Sequence, residues 1–185
     1  MNKNNKKGQV WIETVIYILI GLSLIGLVLA YVLPKINEQK DRSLIEQTIV
    51  SLSSFDDKVL EVNDRGEDNK RIVEFTMRSG ELSIIPEKNQ IVFSIDGLTK
   101  PYSEPDVSIP VGRVIVKTSE LRKTSSVNLT LDYNKLKVKL SFNNMAETKK
   151  FTRSSTPYQF SIENKGIVLD ISGEKKQQID FNLIG

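Results

Sequence analysis

The sequence predicts an α+β protein: a long N-terminal helix, hydrophobic and then amphipathic, followed by an antiparallel β-sandwich or open-barrel head. Three observations predict it. From Thr14 to Leu33 twenty residues run without a charge, which at 1.5 Å per residue makes about 30 Å of helix, the thickness of a bilayer's hydrocarbon core. From Ile36 to Leu60 apolar residues recur at helical spacing with charges between them. Beyond residue 70 the apolar period falls from 3.6 to 2. Four segments follow: a basic leader over 1–8, a hydrophobic helix over 9–34, an amphipathic neck over 35–62 and a β-rich head over 70–185.

The net charge of +3 belongs to the leader, where Lys3, Lys6 and Lys7 stand without an acid. The rest of the chain is neutral, so the basic balance gives no reason to expect nucleic acid as a partner. Cysteine and histidine are both absent. That excludes disulfides, zinc fingers, Cys/His nucleophile pairs and Ser-His-Asp triads. No pair of carboxylates, phosphate-binding glycine loop or metal cluster stands out, so no catalytic residue, metal ligand or cofactor is assigned.

The leader runs into the apolar segment through Lys6-Lys7-Gly8-Gln9-Val10-Trp11-Ile12-Glu13. A secretory signal peptide has a shorter apolar stretch and a small-x-small cleavage site after it. The end of this stretch, Ala30-Tyr31-Val32-Leu33-Pro34-Lys35, offers none. A plain transmembrane anchor fits the length and leaves the lysines cytoplasmic by the positive-inside rule, but gives Gly8 and Glu13 no role. The arrangement of residues 6–13 resembles the class III signal peptide of archaeal type IV pilin-like proteins. There a dibasic-Gly sequence precedes a mature chain that starts with Gln and has Glu at its fifth position. Trp11 and Thr14 depart from the Ser and Phe common in that family, and the resemblance covers roughly residues 1–60.

The resemblance implies cleavage between Gly8 and Gln9 by a membrane prepilin peptidase reading Lys6 and Lys7. It implies the lollipop outline of a pilin, a single pass through the cytoplasmic membrane and an extracellular head. Its further partners would be like or related pilin subunits and the pilus assembly machinery, which would carry the chain into a surface filament supporting adhesion. In such a filament Glu13 would pair with the free amino terminus of a neighbouring subunit. Physical chemistry agrees: in a chain beginning at Gln9, Glu13 lies within or just past the first helical turn, where free N–H groups and the macrodipole favour an anion. Gly26 and Ala30 form a small-x-x-x-small pair suited to close helix packing in lipid, and Trp11 and Tyr31 suit interfacial belts. The rival expectation is a membrane-anchored extracellular binding module that never polymerises.

Pro34 is expected to end or kink the first helix. Beyond it Ile36, Leu44, Ile45, Ile49, Leu52, Phe55, Val59 and Leu60 outline an amphipathic helix from about Ile36 to Glu61, its stripe packed on the chain's own sheets or between subunits. Asn63–Asn69 reads as a solvated turn, since the ligand spacing of an EF-hand is missing. Strands are expected at 71–77, 81–85, 90–95, 111–117, 127–133, 136–142, 158–163, 167–172 and 178–183. Turns fall at Ser79-Gly80, Glu87-Lys88-Asn89, Asn134-Lys135 and Asn164-Lys165-Gly166. The irregular stretch Gly97 to Pro110 is expected to cross between sheets. Lys135, Lys137 and Lys139, with Lys149, Lys150 and Arg153, read as a solvated face protecting a sheet edge. Asn128-Leu129-Thr130 matches a glycosylation sequon, which requires Asn128 to face solvent.

Overall fold

Among the described residues one α-helix, α1 (Asn5–Arg65), precedes ten strands: β1 (Lys70–Phe75), β2 (Glu81–Ile85), β3 (Gln90–Leu98), β4 (Ser108–Val111), β5 (Val114–Glu120), β6 (Ser125–Asp132), β7 (Val138–Phe142), β8 (Lys149–Thr152), β9 (Tyr158–Leu169) and β10 (Lys175–Leu183). The computed structural model describes residues 5–169 and 173–184, with side chains from residue 10 onward. The chain divides into two units, Met1–Lys40 and Asp41–Gly185.

In the first unit, α1 carries apolar side chains that stand free of any covering atoms. Val10, Trp11, Tyr17, Leu27 and Tyr31 are all more than three-fifths exposed. The hydroxyls of Thr14 and Ser23 donate back to the carbonyls of Val10 and Leu19, at 2.9 and 2.7 Å. Neither therefore needs an outside acceptor in an apolar medium. Pro34 does not end the helix, which runs on through it. Proline removes one i→i−4 bond, to Ala30 O, and one such loss does not outweigh the helix on either side.

In the second unit the remainder of α1 buries one face. Ile45, Thr48, Ile49, Leu52, Phe55, Asp56, Val59 and Val62 recur every three or four residues and are all buried. Each fully buried aliphatic or aromatic side chain of this kind contributes about 1.5–3 kcal/mol. Phe55 is the centre: it stacks on Phe181 and meets the edges of Phe75 and Phe160, each at 5.8 Å between ring centroids. The stripe thus packs on the chain's own sheets. Ile36, which begins the expected stripe, is exposed, whereas Val62, just past its expected end, is fully buried. The helix continues to Arg65, so only Gly66–Asn69 forms the turn, with Gly66 and Asp68 at positive φ.

The strands make two sheets. One has the order β1-β9-β10-β7 and the other β4-β5-β6-β3-β2-β8. All named pairs are antiparallel except β7 with β10. Parallel neighbours need a long connection, and β8 and β9 supply it. β6 alternates along its length, Val127, Leu129 and Leu131 buried against half-buried Asn128, Thr130 and Asp132.

Four expected elements are corrected. The run 111–117 is not one strand but the hairpin β4–β5, turned at Gly112-Arg113, with Gly112 at φ 62°. The two strands expected on either side of Asn164-Lys165-Gly166 are one, β9. Its pairing with β10 shifts by a residue there, and Gly166 at φ 84° makes a bulge instead of a turn. Residues 170–172, the end of the second expected strand, lie outside the described residues. Leu136 belongs to a 3-10 turn, Asn134–Leu136, and the strand starts at Val138. The stretch 97–110 does not cross between sheets: it joins β3 to β4 inside the six-stranded sheet, spanning β6 and β5.

Candidate functional site: the apolar helix and its first turns

Lys6, Lys7, Gly8 and Gln9 fall in the opening turns of α1, and their side chains lie outside the described residues. Glu13 follows Gln9 by four residues, one helical turn on, and is exposed. Among the described residues no side chain donates to it. With the leader attached the helix has no acid in its first turn. Cleavage after Gly8 would change that, bringing Glu13 next to a new helix terminus.

The apolar helix is long and apolar enough to cross a membrane, and none of its most apolar window is buried. Trp11 and Tyr31 are twenty residues apart, about 30 Å along a helix, near the two ends of the apolar run. Gly26 and Ala30 lie one turn apart on one face. A Cβ added at Gly21 or Gly26 would touch nothing within 4 Å, so among the described residues no packing neighbour requires glycine there.

The chain matches no protein-family model, and no curated protein or solved structure matches it. What it does must therefore come from its own residues.

The other expected sites lie on the sheets. Asn128 sits on β6, between β5 and β3, where its side chain accepts a hydrogen bond from Ser94 Oγ at 2.7 Å. It is half-buried, on the face away from Val127 and Leu129. The basic residues do not form one strand. Lys139 lies on β7, an edge of one sheet, and Lys149 and Lys150 on β8, an edge of the other, while Lys135 and Lys137 occupy the 3-10 turn and its left-handed exit. Lys150 Nζ pairs with Glu81 at 2.9 Å.

The stretch 97–110 is pinned at several points. The Thr99 N–H donates to Asp41 Oδ2 at 2.7 Å, the Arg42 guanidinium lies 5.9 Å from the Tyr102 ring centroid, and the Asp106 N–H donates to Thr118 O at 2.7 Å. A cleft of about 430 Å³ is lined in part by Glu87, Asn89, Lys139 and Lys176. Among the described residues no group of three or more Asp or Glu side chains could hold a metal ion.

One polar cluster could not be read from the sequence. Asp56, buried on the inner face of α1, accepts from Arg113 Nε at 2.6 Å, and Arg113 lies over the Tyr133 ring at 5.6 Å. Asp56 Oδ1 and the Tyr133 hydroxyl are buried without a partner at good geometry. The two complement each other as acceptor and donor. Burial first, and then the Asp56 carboxylate, push the Tyr133 hydroxyl well above its ordinary value. This cluster ties helix to hairpin.

At the helix end, Glu61 accepts from Lys58 at 2.9 Å and from Arg71 at 3.1 Å. Those two bonds hold its carboxyl at about 2, against an ordinary 4.5. Asp132 is pulled upward by burial, but the donors Asn134 and Gln90 outweigh it and leave the carboxyl below its ordinary value.

Proposed function

We propose that the chain is a structural, non-catalytic subunit of an archaeal type IV pilus-like filament, cleaved after Gly8 and assembled through its N-terminal helix. The observation that carries this reading is an apolar helix exposed on all sides that holds one carboxylate, Glu13, four residues past the Gly8-Gln9 junction. Apolar surface of this extent is covered by lipid or by copies of itself. The chain sits first in the cytoplasmic membrane with its head outside. A prepilin peptidase removes the lysine leader, and the assembly machinery passes the stem from lipid into a filament core. A carboxylate among apolar helices is costly without a partner, and the amino terminus freed at Gln9 of a neighbouring subunit supplies one. A heterologous, non-closing contact between like subunits then gives a helical filament exposing the heads.

The test uses two variants in a host lacking the native gene, with processing read by gel shift and filaments by electron microscopy. Gly8→Val blocks processing; Glu13→Ala is processed but loses filaments. If both variants form normal filaments, the reading fails. A leader that stays uncleaved, with Glu13→Gln tolerated, establishes the anchored binding module instead.

A further inference from the structure

The four sheet edges are not closed alike. β4 carries Pro110, which has no N–H to offer a partner strand. On β7 the Leu140 N–H donates to Asn89 Oδ1 at 3.0 Å. β8 is four residues long and begins with Lys149 and Lys150, a short charged edge of the kind that resists pairing. β1, the fourth edge, is six residues long, and among the described residues no other main chain pairs with its outer side. Arg71 Nη1 donates to Lys70 O at 2.8 Å from an exposed position.

Two hydrogen bonds fix which β1 residues face outward. The Asn164 N–H donates to Asn69 O at 2.9 Å, so the odd-numbered residues from 69 turn their main-chain groups toward β9. The Ile184 N–H donates to Gln159 O at 2.8 Å, so Gln159, opposite Glu74, turns its own toward β10. Lys70, Ile72 and Glu74 therefore offer their N–H and C=O groups outward. Their side chains share one face and all three are exposed, Ile72 at 62%.

We propose that a second copy of this chain pairs with β1, edge to edge and antiparallel, about a two-fold axis at Ile72. That centre engages all three outward residues. Ile72 meets Ile72 of the second copy, and Lys70 stands opposite Glu74 twice, giving two cross-strand ion pairs beside an apolar contact. Two-fold centres at residue 71 or 73 leave Lys70 opposite Ile72 or Thr76 and forgo both pairs. Within each copy β1 runs antiparallel to the helix it packs on, since Arg71 meets Glu61 and Phe75 meets Phe55. The pairing therefore sets the two copies' 41–65 helix segments antiparallel. It does not depend on stem polymerisation, which Glu13 variants test separately.

The chain has no cysteine, so Ile72→Cys in the full chain, purified in mild detergent micelles, is a clean probe. Paired residues in this register lie about 5.5 Å apart at Cα, within reach of a disulfide. Ile72→Cys is expected to oxidise to a covalent dimer at least about fivefold faster than Leu121→Cys, an exposed loop control, a ratio that even a weak local pairing produces. In the Ile72→Cys background, Lys70→Glu or Glu74→Lys alone should slow the dimer, and the two together should restore it. Equal rates for the two cysteines, or rates indifferent to the charge reversals, would overturn the proposal.

Discussion

The two stretches of α1 are written in different patterns, and the difference shows what each is for. Between Val10 and Leu33 apolar residues occupy every face and nearly all remain exposed; between Ile45 and Val62 most occupy one face and are buried, with Val50 left exposed on the other. Backbone geometry is the same in both, so it is the side-chain pattern that decides the partner. An all-round apolar helix needs a medium or several like neighbours, whereas a striped one needs a single surface. The head supplies that surface for the second stretch; among the described residues nothing covers the first.

The sharpest way to break this contrast is one truncation in each stretch. Phe55→Ala should destabilise the head by about 3–5 kcal/mol, read as a drop in melting temperature by near-UV circular dichroism. Leu27→Ala should leave the same transition where it was. A head that melts equally early in both variants would dissolve the distinction.

Next in size is the Asp56–Arg113 link. Arg113→Ala leaves a carboxylate 3% exposed without its cation, which should cost about 2 kcal/mol or more in denaturant unfolding. Asp56→Asn with Arg113→Ala should recover part of that loss, because no charge is then left buried.

Acid sharpens the comparison at the helix end. The Glu61 carboxyl ionises at about 2 in the folded chain against an ordinary 4.5. A depressed carboxylate adds stability that is full above about 4.5 and lost as pH falls toward 2. Glu61→Gln should therefore lower the melting temperature at pH 7, and the gap to wild type should close by pH 2. A constant gap would place the effect elsewhere.

The smallest expected effect is at Gly26. Gly26→Ala meets no neighbour within the chain and should leave head melting unchanged. Any loss should appear only in self-association, by sedimentation in micelles, because Gly26 and Ala30 then no longer allow close approach.

Both helix patterns were legible because each is local: the first is an unbroken run of twenty uncharged residues, the second a repeat at three- and four-residue spacing. So was β6, whose alternation is strict. Two of the misread elements share a cause: glycine at positive φ serves turns and bulges alike. Gly166 looks like the end of a strand and is a bulge within one; Gly112 sits in an apolar run and turns a hairpin there. β8 was invisible because only Phe151 of its four residues is buried. The Asp56–Arg113–Tyr133 cluster joins residues far apart in the chain, and no local pattern announces such a meeting. The Lys-Lys-Gly-Gln and Glu13 pattern is the reverse case: plain in the sequence, while the processing and assembly proposed for it involve molecules outside the chain.

The most direct test is the intact mass of the protein taken from membranes of a host expressing the cognate peptidase. The expected result is a chain that begins at Gln9, with or without cyclisation of that residue to pyroglutamate. A mass that keeps Met1 to Gly8 in the presence of active peptidase would contradict prepilin processing and leave the apolar helix as a plain anchor.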